Sequence, residues 1–205
     1  MKKLLLLLLF IPFISLGQFS NNKNSPTTPN ESTSVDSENQ SSKEITFRKL
    51  SWGDSMEDLK KTYPEVGFER GSQEGLDMLM QEGLLIGINV YIVYIFSENE
   101  LVAGMYNIHP KYKNSTDRLR DFGKISERLN EKYTMRKEDE WIDTTYKDRP
   151  NSLDHAISMG DVVLVERAEA GDTRIAHTLA DGEHTLVYGS SKWVEILDQQ
   201  QQDDF

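Results

Sequence analysis

A serine in Gly53-Asp54-Ser55 and the downstream stretch Asp181-Gly182-Glu183-His184 place in one chain the three groups that acyl transfer uses. These are a hydroxyl nucleophile, an imidazole base and a carboxylate to orient it. The same region offers metal chemistry. In a hairpin turning at Asp181-Gly182, His177 stands opposite Leu186 and His184 opposite Leu179. Diagonal neighbours on one face are about 7 to 8 Å apart at Cα, close enough for both imidazoles to reach one ion. A catalytic zinc takes three protein ligands, however, and the local sequence supplies two. No H-E-x-x-H and no calcium-loop pattern occurs, and the other histidines, His109 and His155, add no ligand spacing. Neither metal nor cofactor ligands are expected. Glu138, Asp139, Glu140 and Asp143 surround Trp141. A carboxylate pair for glycoside cleavage needs a separation of about 5 to 10 Å across a cleft; a solvated acidic connection, open to a basic partner, is the simpler reading.

Ser55 also has a structural role available. Asp54 or Ser55 can cap a helix, Asp54 with Glu57 has capping-box spacing, Met56, Leu59 and Tyr63 recur at helical intervals, and Pro64 stops the run. Residues 45–50 fit a first strand before the Trp52-Gly53 turn. Leu76, Met78 and Met80 alternate in the manner of a strand, and 84–96 reads as one central strand rich in Ile, Val and Tyr. A polar turn at 97–100 returns the chain as a partner strand over 101–108. Val90, Ile92 and Tyr94 fall on one face of the central strand and Tyr91, Val93 and Ile95 on the other, so both faces need a cover.

Asn114 is placed to cap a long helix carrying Leu119, Phe122, Ile125, Leu129 and Tyr133 at intervals of three and four. This helix supplies the first cover. A short helix over 152–159 stops at Gly160. Strands over 161–167, 173–180 and 183–190 follow, joined by Ala170-Gly171-Asp172 and Asp181-Gly182, the latter a strong hairpin signal. Trp193 and Leu197 anchor a last helical turn or two, and 199–205 reads as a fraying polar tail. At these spacings Trp52, Tyr91, Tyr94, Tyr106 and Trp193 read as core, although such rings can also stack on sugars. The expected fold is α+β: an antiparallel sheet built from hairpins and packed by one short and one long helix.

Lys2 and Lys3 precede an apolar run over 4–16, and Ser15 and Gly17 stand before a cut at Gln18. That is a signal-peptide layout, and thirteen residues containing Pro12 are too few for a membrane anchor. Residues 1–17 are therefore expected to be removed, with a periplasmic or secreted product. Of the 26 residues in 18–43, 17 are Ser, Thr, Asn or Pro, too polar to repay the entropy of ordering, so this region reads as a spacer before a single domain over 44–198. The chain has no cysteine, so there is neither a disulfide nor a lipid-bearing thiol. Cleavage takes two positive charges from a formal net charge of −11, leaving the product more acidic still. Such a surface repels nucleic-acid phosphates and anionic headgroups and suits a basic protein surface.

Gly53-Asp54-Ser55 resembles the G-D-S opening of serine-nucleophile lipases and esterases, which implies Ser55, Asp181 and His184 as a catalytic set. Against it, the preceding Phe47-Arg48-Lys49-Leu50-Ser51 is half polar, and the Asp and His lie in a hairpin turn. From Phe47 to Lys60 the chain is similar to small exported Gram-negative proteins opening F-x-x-I/L-x-W-G-x-S/T-x-E-x-V/L, whose motifs are structural and carry no catalytic residue. Its order of strand, helix and meander resembles envelope-assembly lipoproteins and β-lactamase-inhibitor-like domains, a likeness that implies protein binding through the sheet face or an acidic surface. The sequence-based expectation is a non-enzymatic exported binding domain with no catalytic residue. The alternatives are an envelope hydrolase using Ser55 with Asp181 and His184, and an acidic inhibitor or immunity-type protein.

Overall fold

The computed structural model describes residues 47–108, 115–149 and 152–203. The expected signal peptide, the spacer, His109 and Asn114 lie outside these residues. The architecture is α+β: the described residues form nine strands in a large antiparallel sheet, with four helices.

Phe47 and Leu50 exchange backbone hydrogen bonds of 3.1 Å across a tight turn, with Arg48 at φ +58°. The described part of the expected first strand is therefore a turn. Its two apolar ends are buried, and that inward pull gives Phe47 and Leu50 their strand-like pattern. Helix α1 (Met56–Thr62) is capped by Ser55 with Asp58, one residue later than the expected Asp54–Glu57 box. The Asp54 carboxylate instead accepts the Ser51 N–H at 2.7 Å, which closes the preceding turn.

Strands β1 (Glu69–Gln73), β2 (Leu76–Leu85), β3 (Ile88–Ser97) and β4 (Glu100–Ile108) form a four-stranded meander. The single strand expected over 84–96 is in fact the end of β2, a two-residue turn at Ile86-Gly87, and most of β3. Both turn residues have positive φ, +46° and +83°, as a type I′ hairpin requires. Ile is a rare occupant of that position because its branched Cβ crowds the backbone there.

Helix α2 (Ser115–Asn130) follows, then the two-residue strands β5 (Arg136–Lys137) and β6 (Glu140–Trp141), and helix α3 (Leu153–Met159). Gly160 ends α3 in the expected left-handed conformation. Strands β7 (Val162–Ala170), β8 (Thr173–Ala180) and β9 (Glu183–Gly189) make a second meander, and helix α4 (Ser191–Asp203) closes the described chain. α4 runs through residues expected to fray, since glutamine is a good helix former. The sheet order is β1-β2-β3-β4-β9-β8-β7-β5, with β6 also on β7, so the two meanders join where β4 pairs with β9.

Both faces of the central strands are covered. Val90, Ile92, Tyr94 and Phe96 pack with Phe47, Leu50, Leu59 of α1, and Ile125 and Leu129 of α2. On the opposite face α4 lies over β4 and β9, where Trp193 fits against Gly189. Tyr94 and Trp193 are buried and Tyr106 packs on the core, so these rings are core residues. Trp52 is tied down by its own indole N–H, which donates to Thr173 Oγ1 at 3.0 Å.

Candidate functional site

Alternation along β7, β8 and β9 sends Leu164, Glu166 and Ala168, then Ile175, His177 and Leu179, then His184 and Leu186, to one face of the sheet. His177 pairs with Leu186 and His184 with Leu179, the register expected from the Asp181-Gly182 turn. Glu166 stands directly opposite His177. Three ionisable side chains thus meet in the core, each no more than 2% exposed.

Their contacts form a chain. His177 Nε2 faces His184 Nε2 at 3.0 Å, and His177 Nδ1 lies 3.4 Å from Glu166 Oε2 and 3.4 Å from Ser126 Oγ. The Ser126 hydroxyl donates to the Phe122 carbonyl one turn back. Lys137 Nζ approaches Glu166 Oε1 at 3.9 Å. Phe122 of α2 lies flat on the His177 ring, with centroids 4.1 Å apart and planes 14° from parallel. Burial holds His177 below its ordinary value, against the pull of Glu166. Burial, with the charges of His177 and Arg118, pushes His184 down to about 3. Burial opposes ionisation of Glu166, but hydrogen bonding from His177 and the nearby charge of Lys137 outweigh it and lower its pKa. At neutral pH the cluster is therefore one carboxylate and two neutral imidazoles.

No protein-family model, curated protein or solved structure matches this chain.

The residues that suggested catalysis do not assemble. Ser55 Oγ accepts the Asp58 N–H at 3.2 Å and donates to Asp58 Oδ2 at 2.6 Å. Its turn is fixed to the start of β4, where Leu101 N–H donates to the Asp54 carbonyl at 2.8 Å. His184 lies at the other end of that strand, beside the Asn107–Thr185 pair. At about 3.4 Å per residue, the seven steps from Leu101 to Ile108 separate the two by roughly 24 Å. Asp181 is directed elsewhere, toward Arg118 of α2 at 3.9 Å.

Nor do Glu166, His177 and His184 converge on one point. The carboxylate lies on the Nδ1 side of His177 and the second imidazole on the Nε2 side, and among the described residues no group of three His, Cys, Asp or Glu is placed to hold a metal ion. In the acidic stretch Glu138 is paired with Arg167, Asp143 accepts the N–H and hydroxyl of Thr145, and Trp141 packs on the cluster of Phe122, Ile157 and Leu164.

Glu166 escaped the sequence reading, although a signal for it exists. A hairpin turning at Gly171-Asp172 puts residue 166 opposite 177, and a Glu directly after the apolar run Val162-Val163-Leu164-Val165, on the same face as Leu164, needs a buried partner. No spacing rule points to Ser126.

Proposed function

We propose that this chain is an exported, non-enzymatic domain that binds another protein, with the β2–β3 hairpin tip as its contact. The observation that carries the reading is the state of Leu84 and Ile86. They are 65% and 46% exposed, and Ile86 is held at positive φ. Three hairpins of the first meander have non-glycine residues in this conformation. At two of them the first turn residue is the polar Glu74 or Glu98. A branched apolar side chain there costs about 1 to 2 kcal/mol in backbone strain and gains nothing from burial in the free domain. A partner with an apolar pocket supplies the missing burial.

Other features agree with binding over hydrolysis. The Ser55 hydroxyl is occupied as a cap, about 24 Å along β4 from His184. The signal-peptide layout of residues 1–17 supports export to where an envelope or secreted partner is met, and no described helix is long and apolar enough to cross a membrane.

The test is affinity capture from the producing cell's envelope fraction and medium, comparing the wild-type chain with Leu84→Asp. A stoichiometric partner held by the wild type and lost by the variant supports the reading. A partner held equally by both moves the contact elsewhere, and no partner in either preparation sinks it.

One further observation favours an acidic inhibitor or immunity-type role. Ile142 and Met159 are 71% and 63% exposed, and the Ile142 N–H donates to the Asp161 carbonyl at 2.8 Å, which brings them into an acidic neighbourhood with Asp143 and Asp161. Capture through this surface is lost at high salt and survives Leu84→Asp.

A further inference from the structure

Beside the exposed hairpin tip runs an edge of the sheet whose backbone groups are unused. We infer that the partner is held by strand addition: an extended segment of it pairs antiparallel with β2 at Glu82 and Leu84, continuing the line of β1. That segment carries an apolar side chain opposite Leu84 and a basic one opposite Glu82. This rests on the binding reading above and gives it a mode of contact and a partner chemistry.

The two turns at the ends of β2 fix the direction of each of its peptide groups. Leu85 and Ile88 flank the two-residue turn Ile86-Gly87, so their backbones bond each other, and alternation along the ladder makes Gly83 with Val90 and Gln81 with Ile92 bonded pairs as well. Gln73 and Leu76 flank Glu74-Gly75 in the same way, which turns Leu76, Met78 and Met80 toward β1. Even-numbered residues of β2 therefore point away from β3. β1 stands at the end of the sheet, and its pairing with β2 stops at Met80. Before Glu69 the chain leaves that line: Phe68 lies edge-on to the buried Tyr94 ring, with centroids 6.0 Å apart, and the Val66 N–H donates back to the Tyr63 carbonyl at 3.2 Å. The N–H and C=O of Glu82 and Leu84 thus face a side on which no strand among the described residues pairs with them. An incoming antiparallel strand satisfies all of these groups.

The side chains choose the strand. Glu82 and Leu84 are exposed on one face of β2, and Glu69, opposite Met80, is exposed on the same face. A segment running in the direction of β1 sets one residue opposite Leu84 and, two positions later, one opposite Glu82. The second of these has the Glu82 carboxylate across from it and that of Glu69 about 7 Å further along the strand line. Among the described residues neither glutamate is in an ion pair. Lysine or arginine there makes a favourable cross-strand pair, and an apolar residue opposite Leu84 covers a side chain that is 65% exposed. Open edges are normally blunted by lysine, proline or a bulge. From Gln81 to Leu85 there is no lysine or proline, and the register with β3 runs through unbroken.

The experiment is amide hydrogen exchange by NMR on the full-length chain labelled with nitrogen-15, alone and with a capped peptide of threonines interrupted by one isoleucine and, two positions later, one lysine. In the free chain the Gly83 and Leu85 amides are expected to be protected and those of Glu82 and Leu84 to exchange near their intrinsic rates. Millimolar peptide protects Glu82 and Leu84 and leaves Gly83 and Leu85 unchanged. Replacing the peptide's lysine by glutamate weakens binding about fivefold, and Glu82→Lys reverses that preference. Strand addition is overturned if Glu82 and Leu84 are protected in the free chain, if the peptide protects neither, or if Glu82→Lys leaves the preference as it was. Protection that grows with chain concentration and needs no peptide assigns the edge to a second copy and overturns it too. A partner that wild type captures and Leu84→Asp loses, with no protection by the peptide, overturns strand addition alone; no captured partner in either preparation overturns the binding reading with it.

Discussion

The ring of Phe47 occupies the space that a side chain at position 104 would need: a Cβ on Gly104 would stand 2.2 Å from its Cδ1. The ring also touches Tyr94, Tyr106 and Tyr188, with centroids 5.3 to 5.7 Å away, so it has nowhere to move. Gly104→Val is expected to destabilise the domain by about 1 to 3 kcal/mol. Urea unfolding checks this, with a lower midpoint at unchanged slope. Gly123, inside α2, has open space at its Cβ, and Gly123→Ala is expected to add about 1 kcal/mol.

Ser55 makes a reciprocal cap with Asp58, in which each side chain satisfies the other's backbone N–H. Ser55→Ala is expected to cost about 1 kcal/mol in the same unfolding assay. Any ester hydrolysis by the preparation should be the same before and after the substitution. A large loss of hydrolysis would restore Ser55 as a nucleophile.

The two buried histidines make stability depend on pH. Both have folded values below the ordinary 6.5, His184 at about 3. Below pH 6.5 the unfolded chain takes up protons that the folded chain refuses, so stability is fully present above that value and falls as pH falls toward 3. The slope is about 1.4 kcal/mol per pH unit for each histidine protonated only on unfolding. Glu166, also lowered, adds a further loss below its ordinary 4.5. Denaturation curves from pH 7.5 to 4 check the slope, and His184→Gln should flatten it.

Ile86 at φ +46° is followed by Gly87 at +83°, and Asn-Gly is the pair this turn prefers. Ile86→Asn is expected to raise stability by about 1 kcal/mol, read as a higher denaturation midpoint.

The sequence reading succeeded where turn chemistry and periodicity agree. Asp181-Gly182 set the β8–β9 register and thereby the diagonal placement of His177 and His184. Phe122, Ile125 and Leu129 marked the buried stripe of α2, and Gly160 marked the end of α3. The reading failed where an apolar residue does a turn's work. Nothing in Leu84-Leu85-Ile86-Gly87-Ile88 announces a reversal, because the residue forced to positive φ is one that sterics disfavour there. Phe47 and Leu50 similarly read as strand, although the core draws them in from the ends of a turn. In the candidate site both histidines were legible and Glu166 was not, since its place opposite His177 depends on a second hairpin, turning at Gly171-Asp172, whose turn signal is weaker than Asp181-Gly182.

The most direct test of the binding account is capture of the partner by Ile86→Asn, measured as the bound fraction relative to wild type at equal domain concentration. This variant, more stable than wild type, is expected to bind several-fold less partner, because the strained side chain is kept for the contact. Capture equal to wild type would contradict it and leave Ile86 without a part in recognition.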